Sequence, residues 1–392
     1  MPDVLAESAT VVIVGAGVAG MTAATLLRRS GIDCIVLERQ SRDYVEQRQR
    51  AGILEYRAAQ MFADWGLAGL LGSFPADDTL EIRVDGESHL VLHDPAGSRP
   101  AGRLIPQQIL LRNLIAGFLA DGGDLRFGAA GAEPRQLTAG RPVVCYTDLA
   151  GQVHEISCSF VAGCDGEHGV SRRCVPDGEL TVHTQDYGIG WLTVLAIAPP
   201  PRHALMAVSR RGFAAQFPRG PQASRFYLQC APGDQVAAWP PDRIWAELRA
   251  RLGRDDLPGG EITQREVFAL RGLVCEPMSY GRLYLLGDAA HIIPPMGGKG
   301  MNMALYDAEV FARAVRGFVR DGDETGLRDY SAVCLRHTWT YQEFSRWMTE
   351  MLHDPGDQAD PFRARLARAR LTRLLTSETA AREFGELTYG LG

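Results

Sequence analysis

The run Val11-Val12-Ile13-Val14 leads straight into Gly15-Ala16-Gly17-Val18-Ala19-Gly20, and Glu38 follows eighteen residues after the last glycine. Few folds accommodate an apolar strand, three spaced glycines and a distant acid. Gly15 permits a tight turn, Gly17 lets the backbone approach a pyrophosphate, and Gly20 lets a helix pack close to the strand. The helix predicted over Val18–Ser30 would turn its positive end toward that pyrophosphate. Glu38 closes a second strand, Cys34-Ile35-Val36-Leu37, where a carboxylate can accept hydrogen bonds from a ribose diol. The pattern predicts a βαβ dinucleotide unit. By itself it admits FAD, a nicotinamide nucleotide, or a glycine-rich turn of an ordinary α/β domain.

Bulk properties narrow the partners. A chain of 392 residues is too long for one simple core, so two or three interlocked domains are expected. The net charge of −6 argues against a nucleic-acid partner, which would need a basic face. No apolar run approaches the roughly 18 residues that span a bilayer. Met1–Ser8 has neither a basic start nor an apolar signal core, which points to a cytoplasmic protein. The eight cysteines are scattered without a CxxC pair and read as reduced, mostly buried thiols. No His/Cys cluster has metal-ligand spacing, and no metal is expected.

After the βαβ unit comes an Arg-rich segment, Arg39–Arg50, then a predicted helix from Glu55 to Leu71. Leu80–Leu92 alternates like a half-buried strand pair. Gln107–Leu119 reads as helix, and Pro142–Tyr146 and Glu155–Gly163 as strands. Ile189–Ile197, Ala204–Val208 and Arg225–Cys230 read as a second sheet, interrupted at Pro199-Pro200-Pro201 and Arg219-Gly220-Pro221. From Tyr284 the chain returns to strand and then to a helix over Gly300–Arg320, and the last seventy residues read as helical.

Two more glycine motifs follow apolar strands. One is Val161-Ala162-Gly163-Cys164-Asp165-Gly166; the other is Leu285-Leu286-Gly287-Asp288-Ala289-Ala290-His291, continued by Pro294-Pro295-Met296-Gly297-Gly298-Lys299-Gly300-Met301-Asn302. Each sets an Asp beside a Gly where a carboxylate could meet a ribose or ribityl hydroxyl. The second also opens a helix whose N-terminus can stabilise developing negative charge. Either motif alone is equally a turn.

Taken in order, the three motifs resemble the flavin-dependent aromatic hydroxylases, the single-component FAD monooxygenases. The resemblance spans nearly the whole chain and lies near the hydroxybenzoate-hydroxylating branch. Leu37-Glu38-Arg39-Gln40, Asp43-Tyr44-Val45, Arg50-Ala51-Gly52, Gly287-Asp288-Ala289-Ala290-His291-Ile292 and Trp347-Met348-Thr349 carry it further. It implies an α/β fold. A Rossmann-like, three-layer ββα FAD-binding domain would be assembled from 1–79, 107–180 and 277–320. An inserted, mostly antiparallel β substrate domain would take 80–106 and 181–276, and a helical interface region 321–392. It also implies a homodimer.

By resemblance, Gly15, Gly17 and Gly20 hold the FAD pyrophosphate and Glu38 the adenosine ribose. Arg39, Arg50, Gln107, Asp165, Gly166, Gly287 and Asp288 add FAD contacts. The backbone at Gly300, Met301 and Asn302 faces the flavin's N1–O2 edge. NADPH would dock transiently on Arg39, Tyr44, Arg48, His168, Arg172 and Arg271, although an acidic Glu167 stands where the relative has an aromatic residue. NADPH and O2 would then hydroxylate a small aromatic carboxylate through a flavin C4a-hydroperoxide, with Pro295 and Asn302 at the reacting centre. His291 reads as structural. A same-fold halogenase or reductase, or a non-redox binding module, is the alternative.

The pocket departs from the relative. Arg219 matches the arginine that grips a substrate carboxylate, and Tyr227 a pocket tyrosine. Phe217 replaces a serine. The two tyrosines of the relative's proton relay match Ala207 and Thr388, with Tyr389 adjacent and a possible slip of one residue at Ala207. The relay histidine matches a position near Asp77. The expectation is a ring activated by an amino group or by a hydroxyl placed elsewhere, the other explanation being a relay rebuilt around Tyr389 or Asp77.

Overall fold

In a computed structural model the described residues are 4–48, 52–72, 79–92, 105–353 and 361–390. The chain opens with strand β1 (Leu5–Val14), helix α1 (Val18–Arg29) and strand β2 (Cys34–Glu38). β1 buries Val11 to Val14 and β2 is buried throughout, the near-continuous apolar reading of a parallel strand covered on both faces. α1 carries no acid in its first turn and Arg28 and Arg29 in its last, and it buries Val18 to Leu27. Each fully buried Val or Leu there contributes about 1.5–3 kcal/mol.

The first sheet has a parallel core. β1 pairs in parallel with β2 and with Val153–Gly163; Asp124–Phe127 adds to β2, and Leu283–Leu285 adds to Val153–Gly163. An antiparallel pair, Ala130–Arg135 and Val143–Thr147, covers the other side of Val153–Gly163. The strands come from far-apart stretches of chain, as the three separated motifs predict.

The second sheet runs in the order His291–Ile292, Ile262–Glu276, Thr181–Ile197, Ala223–Cys230, Gly212–Gly220, Ala204–Ser209, Leu80–Val84, Glu87–Val91. It is antiparallel except where Ala204–Ser209 runs alongside Leu80–Val84. One face packs against Pro241–Leu252; the other packs toward the C-terminal helices. Those helices are Thr325–Leu352, Pro361–Thr376 and Glu378–Tyr389, and none of the described helices is long and apolar enough to cross a membrane.

Four differences from the sequence reading are instructive. The helix expected over 55–71 stops at Asp64, because Gly66 takes φ +68°, and resumes as a short 3-10 turn at Ala68–Leu71. A short helix, Arg42–Gln47, lies inside the Arg-rich segment, capped by Ser41. Gly212–Gly220 is a strand although Pro218 and two glycines mark it as broken, and a register shift at Pro218/Gly220 absorbs them. Pro241–Leu252 and Ile262–Glu276 were not anticipated; the latter is too polar along its first half to show strand alternation.

Candidate active site

Three adjacent parallel strands end at one edge, and each end carries one motif. Gly15 N donates to Leu37 O at 2.8 Å, Cys164 N to Val14 O at 2.8 Å, and Leu286 N to Gly163 O at 2.9 Å. This edge, beyond the carboxyl ends of parallel strands, is where open α/β sheets bind their ligands.

The glycines divide the work as the spacing predicts. Gly15 has φ +107°, and a Cβ there would lie 2.4 Å from Cys164 O. A Cβ on Gly20 would lie 2.0 Å from Gly15 O, so this position seats the helix on the strand. Gly17 faces nothing within 4 Å and is the uncapped N-cap of α1. It is therefore an open cradle with free helical N–H groups, which suits a pyrophosphate. Glu38 is buried, with one carboxylate oxygen accepting from Ala16 N at 2.8 Å and the other from Gln40 N at 2.8 Å. These bonds fix the carboxylate beside the cradle and leave lone pairs for a ribose diol.

The second motif supplies an orphan acceptor. Asp165 takes hydrogen bonds from Ser171 N (2.9 Å) and Ser171 Oγ (3.0 Å) through one oxygen, while the other is buried without a partner. A buried unpaired acceptor is costly unless a ligand donor meets it. Gly166 takes φ +76° in the same turn. In the third motif Asp307 accepts from Gly287 N at 2.9 Å and bonds His291 Nε2 at 2.7 Å. His291 is 2% exposed, and although burial opposes its charged form, the Asp307 carboxylate holds its pKa above the ordinary value. Its role is to pin the Gly287-Asp288 turn, as expected of a structural histidine.

Gly297 (φ +77°) and Gly298 (φ +65°) then turn the chain into the helix Lys299–Asp321, whose N-terminus has no side-chain cap. Gly300, Met301 and Asn302 form its first turn. The Asn302 side chain is fully engaged: Oδ1 accepts from Glu55 N (3.0 Å) and Nδ2 donates to Ile53 O (2.8 Å) and Gly298 O (3.1 Å). It positions the segment 52–55, while the backbone of Gly300, Met301 and Asn302 is the part of this turn expected to face the flavin. The Pro295 carbonyl accepts from Gly298 N at 3.1 Å within the turn, leaving one lone pair. Gly52 crosses the start of the Gln107–Ala120 helix so closely that a Cβ would lie 2.7 Å from Gln107 N. Arg50 and Asp77 lie outside the described residues.

A buried ion pair joins this assembly, and sequence reading missed it. Lys299 Nζ lies 2.6 Å from Glu55 Oε1 and also donates to Leu387 O (2.5 Å) and Thr388 O (2.9 Å). Burial pushes the Lys299 ammonium down and the Glu55 carboxyl up, while each partner's charge opposes the shift. A Lys flanked by glycines gave no cue of burial; the cue lies in the helix it begins.

The second sheet carries most of the residues expected to meet the substrate. Met206, Val208, Ala215, Trp191 and Tyr227 face the C-terminal helices in one apolar cluster, with Phe217 packed edge-on to Tyr227. Ala207 does not belong there. It pairs with Ala214 and packs with Leu205, Phe226 and Trp245 on the opposite face. Strand parity therefore takes Ala207 off this face and leaves its neighbours Met206 and Val208 on it. The Thr388 hydroxyl donates to Phe384 O at 2.7 Å, within its own helix. Tyr389 is buried in the pocket cluster.

Trp191 Nε1 donates to His353 Nε2 at 2.7 Å, and His353 Nδ1 lies 2.9 Å from Thr349 O. Burial lowers the His353 pKa to about 4, so it is a neutral wall group at neutral pH. Burial likewise pushes the Cys34 and Cys158 thiols up to about 12, which leaves them as protonated core residues.

Arg219 and Arg225 supply the charge. Burial lowers the Arg219 pKa, the neighbouring Arg225 adds to this, and a hydrogen bond to Tyr227 opposes it. Arg225 is 9% exposed and its Nε has no partner. Neither guanidinium has a carboxylate partner among the described residues.

The expected coenzyme residues split into two surface groups. Arg39, Tyr44 and Arg48 are exposed near the short Arg42–Gln47 helix. His168, Arg172 and Arg271 gather around Glu167 on the other side of the second motif.

Comparisons with known proteins agree with this geometry. Residues 8–345 match the family model described as an FAD binding domain. The chain is 33% identical over 386 residues to p-hydroxybenzoate hydroxylase of Acinetobacter baylyi, covering 97% of this chain and 95% of that one. It is 25% identical to a Rhodococcus jostii protein named "Probable NADH-specific resorcinol 4-hydroxylase", over 98% of this chain and 72% of the relative. The fold matches p-nitrophenol 4-monooxygenase PnpA from Pseudomonas putida DLL-E4 with a TM-score of 0.81 at 20% identity, covering 98% of this chain and 99% of that one. The cradle accepts a dinucleotide and the match runs through all three motifs, so the bound cofactor is FAD. The chain belongs to the family of FAD-dependent aromatic hydroxylases.

Proposed function

We propose that this hydroxylase acts on a small aromatic carboxylate, with NADPH as reductant. The observation that carries the substrate reading is the pair Arg219 and Arg225, half-buried or buried beside an aromatic cluster with no carboxylate partner among the described residues. A desolvated guanidinium without a counter-ion is unstable, and a bidentate carboxylate resolves it. Tyr227 orients Arg219, and Trp191, Phe217 and Met206 enclose the ring and exclude water.

FAD, when bound, supplies the hydride acceptor and the activation of oxygen. The uncapped start of the Lys299–Asp321 helix stabilises negative charge placed against it. Met206 and Thr388 offer no hydroxyl to a phenol, since the first has none and the second is committed to Phe384. This supports a ring activated by an amino group, or by a hydroxyl away from these two positions. The NADPH reading rests on the basic groups at Arg39, Arg48, Arg172 and Arg271. A homodimer and a cytoplasmic location accompany it through the family resemblance.

The deciding experiment is a panel of hydroxy- and aminobenzoates. Stimulated NADPH oxidation coupled to hydroxylated product is expected for at least one benzoate and not for its decarboxylated analogue. Equal turnover of both would refute the carboxylate reading. NADPH oxidation without hydroxylated product would favour a reductase.

A further inference from the structure

The basic group around the second motif is unevenly compensated. Arg271 forms an ion pair with one oxygen of Glu167, and His168 Nε2 lies 3.8 Å from the other. Arg172 makes only neutral contacts: it donates to the Glu167 carbonyl at 2.8 Å and to Cys275 Sγ at 3.6 Å. Its charge has no carboxylate among the described residues. Arg271 sits just after a register shift in Ile262–Glu276, between Ala269 and Arg271, where it pairs across the strands with Asp186. Both Arg271 (46% exposed side chain) and His168 (83%) reach solvent, while Glu167 is largely covered at 20%.

A surface lysine or arginine pairs with any nearby acid, and such a pair contributes little by itself. Here the acid sits at the centre of three basic groups and holds one of them. A phosphate approaching Arg172 therefore meets one available guanidinium and one already occupied by a carboxylate of like charge to itself.

We propose that Glu167 is an acidic guard on a phosphate-binding patch formed by Arg172, Arg271 and His168, and that an incoming dinucleotide pyrophosphate binds by displacing it from Arg271. This rests on the reading that NADPH docks here and specifies how that docking is limited. The guard weakens the complex with coenzyme, both by occupying a donor and by like-charge repulsion, and so favours release once the hydride has been delivered. Glu167 is a specificity-setting residue, since it contacts the groups that bind the ligand.

The test is equilibrium titration of the purified FAD-loaded protein with NADP+, and separately with inorganic pyrophosphate. Wild type, Glu167→Gln, Arg271→Gln and the double variant are compared at low and high salt. Flavin absorbance and melting temperature confirm that each variant is folded and loaded. Glu167→Gln is expected to tighten both ligands by about ten-fold at low salt, with less gain at high salt. Arg271→Gln should weaken both, and in its background the Glu167→Gln gain should vanish. If Arg271→Gln weakens NADP+ while Glu167→Gln leaves it unchanged or weaker, the guard is refuted and the docking reading stands. If Arg271→Gln leaves NADP+ unaffected, coenzyme docks elsewhere and both fall.

Discussion

The nucleotide cradle and the proposed substrate pocket are built by different means. The cradle is made of backbone: Gly15, Gly17 and Gly20 act by lacking a side chain, and the helix N-terminus acts through its N–H groups. The pocket is made of side chains projecting from one face of an antiparallel sheet, where a shift of one residue exchanges Met206 for Ala207. The difference teaches that a backbone site tolerates change everywhere except at a few small residues. A sheet-face site depends on parity, and its neighbours in sequence belong to another core.

The largest effects should fall on the cradle. Gly20→Ala places a methyl 2.0 Å from Gly15 O and is expected to abolish folded, soluble protein. Gly17→Val meets open space, so it should yield a folded but colourless protein, checked by circular dichroism and flavin absorbance. A yellow Gly17→Val protein would break the division of labour between the two glycines. Next is Lys299→Met, which leaves Glu55 buried without its counter-charge and should cost about 3–5 kcal/mol in denaturant unfolding. Little loss would mean that the C-terminal helix does not depend on this clamp.

Parity is tested by Met206→Tyr against Ala207→Tyr. The second overpacks the core against Pro241–Leu252 and should destabilise by about 1–3 kcal/mol or more. The first should change substrate affinity with smaller loss of stability. The reverse outcome would restore Ala207 to the pocket. Arg219→Ala is expected to weaken aromatic carboxylates by about 1.5–3 kcal/mol in titrations, and decarboxylated analogues hardly at all.

The smallest effect lies away from both sites. His154 is held between Asp148 (Nε2, 3.0 Å) and Glu7 (Nδ1, 3.1 Å), and the Asp148 bond leads in raising its pKa above 6.5. A raised folded-state pKa means its stabilisation is full below 6.5 and disappears as pH rises through the folded value. Wild type should melt slightly above His154→Gln in acid and lose that lead in mild alkali, with FAD retention the same. A lead that grows with pH would show that the imidazole is held neutral.

Much of the cradle was legible because its information is contiguous. Strand, glycine spacing, helix and acid occur within residues 11–38, and each glycine's role follows from local geometry. The pocket was only partly legible. The family resemblance pointed to Arg219 and Tyr227, but a possible slip of one residue left the facing of Ala207 open. Only pairing with Gly212–Gly220 decides it. Arg225 drew no notice in the sequence, and its unpartnered Nε is a property of its surroundings.

By itself the sequence determined the dinucleotide fold and the three motifs. These depend on short-range chemistry: which residues permit a turn, a close approach or a charge. Tertiary structure alone decided that Lys299 pairs with Glu55 across the fold, that Asn302 is a strut, that Met206 and Val208 rather than Ala207 face the C-terminal helices, and that Glu167 occupies Arg271. Each of these depends on which segments are brought together, and burial then converts an ordinary polar residue into a committed one.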